Sequence, residues 1–177
     1  IGRLQDRLDN VEYYTALTLL EKEASERGLL LRIQVRRPLN IWSFKLVVGE
    51  ITSNTKIQLL GEMKGWAYQN TKGLQLDTMK VGKNANSKIG DLIWASTMAW
   101  ALEETPCRSA RLLAIYDENN QHEILQRYFR RRGFNTVRKV GSSPLDLPLR
   151  LVWGGAGAFM VGNCEKVFER SYRSWSE

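Results

Sequence analysis

The chain is poor in the residues that build metal and redox centres. Its 177 residues include two cysteines, Cys107 and Cys164, and one histidine, His122. That excludes a zinc finger, an iron–sulfur ferredoxin and a secreted domain built on disulfides. With His122 alone to serve, a His-centred triad is not expected. Long apolar runs are missing too. None approaches the ~18 residues of a membrane span, and the longest candidate, Leu92 to Leu102, contains Ser96 and Thr97. Nothing at the start has the make-up of a signal peptide. The chain begins at Ile1 rather than Met, as a processed or trimmed form would, with any targeting segment already gone. A soluble intracellular protein is expected, of the cytoplasm or of a plastid stroma.

What is present is the balance of a folded domain. Apolar residues make up 43% and charged residues 25% of the chain, and 26 Lys and Arg against 19 Asp and Glu give a net charge of +7. A chain of this length buries roughly 70% of its unfolded surface in one core, so a single domain over residues 1–177 is expected without any staple. The apolar spacing predicts a helix over Arg3 to Arg27, closed by Gly28. Leu29 to Val35, Trp42 to Ile51, Lys56 to Tyr68 and Gly73 to Val81 read as strands. The turns between them are too short for crossover helices, so these strands form an antiparallel meander. A polar break at residues 82–87 leads to a helix over Lys88 to Glu104 that is apolar on more than one side. A strand over Arg108 to Tyr116, a helix over Gln121 to Arg132 and a strand over Phe134 to Val140 follow. Leu149 to Trp153 and Ala158 to Val161 read as strands, and Cys164 to Trp175 as an amphipathic helix. The strand, helix and strand around residues 73–116 form a parallel crossover. The fold class is α/β, with a sheet that is antiparallel first and parallel at its centre.

From Leu74 to Phe134 this order resembles the GCN5-related N-acetyltransferase superfamily. Three features carry the resemblance: the strand Leu74 to Val81, the break and helix at Lys83 to Glu104, and the run Tyr128-Phe129-Arg130-Arg131-Arg132-Gly133-Phe134. It implies that family's mixed central sheet with flanking helices, here with extra helices at both ends. It also implies acetyl-CoA as acyl donor, lying along Met79 and Val81 and the turn formed by Lys83, Lys88, Ile89 and Gly90. A pyrophosphate suits the first turn of a helix, where N–H groups are free and the dipole is positive. The family writes that turn Arg/Gln-x-x-Gly-x-Gly/Ala; this chain has Ala85-Asn86-Ser87-Lys88-Ile89-Gly90. Only the last glycine agrees, and Ser87 otherwise reads as an ordinary helix cap. Where many members carry a tyrosine acid, four residues before the Gly of Gly-Phe, this chain has Phe129. Tyr128 is adjacent and is the remaining candidate for that acid, although one residue turns a helical side chain by ~100°, which is expected to point it elsewhere. Asp77 is the best-placed carboxylate for a general base, and otherwise a strand carboxylate paired with a Lys or Arg.

Two further features suggest partners. Most of the excess positive charge lies in residues 108–140. Arg127, Arg130 and Arg131 on the helix there suit an acidic or phosphate-rich partner. Trp175, beside Tyr172 and Arg173, suits an interface anchor. The glycine run Gly154-Gly155-Ala156-Gly157 reads as a bend or bulge in a strand. With Leu147 to Trp153 before it, this region resembles uncharacterised proteins of cyanobacteria and plastids. Taken together, the eroded turn and Phe129 lead to the expectation of a non-catalytic binding or assembly module, working with a protein partner or larger complex. The alternatives are an acetyl-CoA-dependent N-acetyltransferase acting on a primary amine, and a basic nucleic-acid-binding domain.

Overall fold

The computed structural model describes residues 15–53, 55–82, 85–115, 122–140 and 157–177. Helix α1 (Ala16–Glu26) leads into strands β1 (Leu29–Arg36), β2 (Trp42–Ile51), β3 (Ile57–Ala67) and β4 (Leu74–Val81). Helix α2 (Ser87–Glu104), β5 (Ser109–Ile115), α3 (His122–Arg132), β6 (Phe134–Val140), β7 (Gly157–Asn163) and α4 (Cys164–Ser176) complete it. Among the described residues the strands form one sheet in the order β1-β2-β3-β4-β5-β7-β6. Only β4 and β5 run parallel; every other neighbouring pair is antiparallel. The expected mixed α/β sheet with flanking helices is therefore present.

One boundary differs from the sequence expectation. The first helix does not run unbroken from Arg3 into Ala16. Thr15 is extended, at ψ 163°, and its side chain accepts from the Thr18 amide. A capping residue of this kind starts a helix. Residues 1–14 lie outside the described residues, as do Leu149 to Trp153 and the glycines at 154 and 155.

The core is organised by α2. Every residue from Ile89 to Ala101 is buried, Asp91, Ser96 and Thr97 included. A helix apolar nearly all round must be covered nearly all round. The sheet covers one side, where Phe44 meets Trp100 at 4.8 Å between ring centroids. Trp94 meets Phe129 and Phe134 at 6.0 and 5.4 Å, in edge-on and tilted contacts that favour aromatic pairs. Helix α4 packs along α2 on another side. Gly61 lets α2 sit close to the sheet: a Cβ there would lie 2.7 Å from the Ile93 side chain. Cys107 and Cys164 are buried free thiols, and burial, helped by the neighbouring Cys107, pushes the Cys164 thiol up to about 12.

Candidate functional site

The central feature is a splay between β4 and β5. Their ladder pairs only Leu74 with Ala110 and Gln75 with Arg111. From Leu76 onward β4 has no partner on that side among the described residues. At the same place the β3–β4 register skips a residue: Lys64 faces Thr78 and Gly65 faces Leu76, leaving Asp77 as the extra residue of a bulge. A bulge re-aims side chains and bends its strand.

A cavity of about 480 Å³ lies next to the free part of β4. Met79 and Val81 form its strand wall, and Ala85, Asn86, Ser87 and Gly90 form the wall at the start of α2. Ile124, Leu125, Tyr128, Phe129 and Arg132 close it from α3. Ile124 is 65% exposed at the mouth. Gly90 keeps the floor open, because a Cβ there would lie 3.3 Å from both the Tyr128 hydroxyl and Arg132 Nη2.

The polar groups in this apolar cavity are fixed from behind. Trp94 Nε1 donates to the Tyr128 hydroxyl at 2.9 Å. The phenol accepts there, so its own proton remains to be donated. Arg132 Nη1 donates to Asp91 Oδ1 at 2.6 Å, and its guanidinium lies 5.2 Å from the Tyr128 ring centroid. Asp91 Oδ2 accepts from Ser174 Oγ at 2.7 Å. Helix α4 thus supports Arg132 through Asp91. At the helix start, Asn86 rather than Ser87 is the cap, its Oδ1 accepting from the Lys88 amide at 3.0 Å.

The residues proposed from the sequence divide as follows. Met79, Val81, Gly90 and Tyr128 meet at the cavity. Tyr128 does not point elsewhere: α3 presents both Tyr128 and Phe129 to the cavity, and it is Phe129 that packs into the aromatic core. Ile89 turns inward, 3% exposed, toward Gly61 and does not line the cavity. Lys88 is committed elsewhere too, its Nζ donating to the Ser174 carbonyl. Lys83 lies outside the described residues. Asp77 is not in the cavity with Tyr128. It borders a separate groove, accepts from Gln75 Nε2 at 3.0 Å, and has no ion pair among the described residues. Arg127, Arg130 and Arg131 are exposed on α3. Trp175 is not an exposed anchor. It is fully buried, donates from Nε1 to Glu23 Oε2 at 3.2 Å, and carries the Arg27 guanidinium 3.8 Å over its ring. Its place against α1 is what an amphipathic last helix needs, since its apolar stripe must be covered. Arg132 and Asp91 were the site residues missed. A buried Asp inside the apolar stretch Ile89 to Ala101 was the available signal, because such a group needs a partner.

No family model matches this chain, and no curated protein matches it. Solved structures similar to it include nourseothricin acetyltransferase, at 14% identity and a TM-score of 0.47, over 77% of this chain and 88% of that one. An uncharacterized protein from Bacillus halodurans is similar at 16% identity and 0.46, over 75% and 64%. N-acetylglutamate synthase from Neisseria gonorrhoeae, complexed with coenzyme A and N-acetyl-glutamate, is similar at 16% and 0.42, over 84% and 32%. The chain spans less than two thirds of the length of the last two. Among the described residues no helix is long and apolar enough to cross a membrane.

Proposed function

We propose that the cavity takes the pantetheine arm of an acyl-CoA and that the chain is an N-acyltransferase acting on a primary amine. The observation that carries this reading is the Tyr128 hydroxyl, held by Trp94 inside a cavity that runs along the part of β4 that β5 leaves unpaired. The residues fit the group. The backbone of β4 beyond Gln75 offers amide partners to the arm's own amides, Met79 and Val81 offer apolar contact, and Gly90 leaves the width. Acetyl-CoA, when bound, supplies an acyl group activated as a thioester. The chain's part is positioning, which in amine attack on a thioester is the larger share of the work, and proton handling. Tyr128 holds a proton for the departing sulfur, and Asp77 is the base for the incoming amine.

The test is isothermal titration with acetyl-CoA and with free CoA, on the native chain and on Gly90→Val. Saturable binding of both, lost in the variant while its circular dichroism is unchanged, is the expected result. No binding, or binding that ignores Gly90→Val, would overturn the reading.

A binding module is the second reading, favoured by the exposure of Arg127, Arg130 and Arg131 on a helix whose only carboxylate is Glu123. It predicts that charge reversal at Arg130 and Arg131 releases an acidic partner in cell extract. Trp175, buried against α1, takes no part in it.

A further inference from the structure

The bulge at Asp77 has a consequence on the other face of the sheet. Asp77 and Thr78 are neighbours in a strand, and neighbours normally point to opposite faces. Here both border a groove of about 320 Å³ that crosses β1 to β4. Its other polar walls are Arg36 and Gln34 on β1, Ser43 and Lys45 on β2, and Lys64 on β3, with the Trp66 ring beside them. Arg36 and Lys64 are exposed and form no ion pair among the described residues. Lys45 shares Glu62 with Lys80, at 3.7 and 4.0 Å, and is itself half-exposed. The groove therefore has one carboxylate on β4 and three cations spread over β3, β2 and β1. Strands lie about 4.8 Å apart, so the strands that carry the cations lie roughly 5 to 14 Å from β4 across the sheet.

We infer that this groove binds a primary amine that also carries a carboxylate or a phosphate, the ammonium toward Asp77 and the anion toward Lys64, Lys45 and Arg36. The charges match such a ligand end for end, and Trp66 offers its stem an apolar wall. Binding alone requires nothing of the cavity; the ligand's role as acyl acceptor rests on the acyl-thioester reading above. In that role Asp77 takes a proton from the ammonium, and the nitrogen lone pair forms the C–N bond. The C–S bond breaks, the sulfur leaves as a thiol with the proton from Tyr128, and the second proton of the acylated nitrogen passes to the phenolate and restores Tyr128. The donor is an acyl thioester, and no redox partner is needed.

The experiment is amide NMR of the full chain titrated with L-glutamate, with O-phosphoethanolamine and with ethanolamine, which lacks the anion. Saturable shifts at Gly65, Asp77 and Thr78 with the first two, about tenfold weaker with ethanolamine, are expected from losing a charge-assisted contact. The exposed double variant Arg36→Glu, Lys64→Glu should weaken both anionic ligands about tenfold, and Asp77→Asn should weaken all three amines about tenfold. Equal binding of ethanolamine, or shifts indifferent to these variants, would overturn the site. A single-stranded oligonucleotide that shifts the same amides where the amines do not would replace it with a nucleic-acid surface. Acetyl-CoA added separately reports the cavity through Gly90. Shifts there without any at Thr78 would sink this site alone, and shifts at Thr78 without any at Gly90 would sustain it while removing the cavity reading.

Discussion

Arg132 Nη1 and Asp91 Oδ1 meet at 2.6 Å beside the cavity, with side chains 13% and 3% exposed. This pair joins α3 to α2, and Ser174 brings in α4 through the second carboxylate oxygen. It is an ion pair at the meeting of three helices, in an interior that is mostly apolar. Removing one partner leaves a buried charge uncompensated, at a cost of about 3 to 5 kcal/mol. Asp91→Leu and Arg132→Met should each lower stability by an amount in that range. The double variant Asp91→Leu, Arg132→Met should cost clearly less than their sum. Urea unfolding of the four chains of this cycle measures the coupling; strict additivity would show that the two groups do not act as a pair.

Two glycines near the splay should respond differently to a methyl group. At Gly65 a Cβ would lie 2.3 Å from the Gln75 carbonyl oxygen and 2.9 Å from the Phe44 ring. Backbone cannot retreat cheaply, so Gly65→Ala should destabilise by about 2 kcal/mol. At Gly90 the nearest atoms are two side-chain ends at 3.3 Å, and Gly90→Ala should leave the melting temperature nearly unchanged. Its effect should appear instead as weaker acetyl-CoA binding. Equal melting temperatures for the two variants would refute the contrast.

Trp175→Ala tests a corrected expectation. The ring is fully buried against α1, with its N–H on Glu23. Truncating a buried tryptophan costs about 3 to 5 kcal/mol. The variant should be markedly less stable in thermal unfolding. A loss of partner binding at unchanged stability would restore the ring to an interface.

How far the sequence carried depends on what kind of contact was at issue. The strands from Trp42 to Val81 and the helix at Ser87 to Glu104 were legible because apolar periodicity and short polar turns are local signals. The break at Thr15 was not, since apolar residues continue at helical spacing on both sides of it. Met79, Val81 and Gly90 could be placed at one site because strand and helix adjoin in the chain. The meeting of Arg132 with Asp91 spans 41 residues of sequence, and nothing local marks it. Trp175 was misassigned for the same reason: its partner Glu23 lies 152 residues away. The ~100° turn between neighbours on a helix argues against Tyr128, yet two adjacent residues can flank one opening, as Tyr128 and Phe129 do here.

Glu103 predicts a pH effect. Its Oε1 accepts from the Ala16 amide at 2.6 Å, so it serves the start of α1 from the end of α2. The residue as a whole keeps more than a third of its surface in water, but its carboxyl is packed against the helix end. Burial raises its pKa above the usual 4.5, against the lowering effect of the backbone bonds. A carboxyl whose pKa is raised on folding holds its proton longer in the native state. Between 4.5 and that raised value the unfolded chain is already ionised, so this group's contribution falls as pH rises. Glu103→Gln keeps the acceptor and removes the charge. It should flatten that part of the stability profile and leave the protein no less stable at neutral pH. An unchanged slope in urea titrations across this window would show that Glu103 is not its source.

Tyr128→Phe separates the proton from the packing. The ring stays, and with it the contact to Phe129 at 5.5 Å between centroids. What is lost is a hydroxyl that accepts from Trp94 and faces the cavity. The orphaned indole N–H costs about 1 to 3 kcal/mol of stability, which thermal unfolding reads directly. If Tyr128 is the acid toward the departing sulfur, kcat should fall by roughly 100-fold with KM for the thioester nearly constant, because the proton is needed only as the C–S bond breaks. A donor with a better leaving thiol should recover most of that loss, since it needs the proton least. A purely structural tyrosine would show the stability loss alone, with kcat the same for both donors. The two measurements on one variant thus distinguish an acid from a residue that only props the cavity wall.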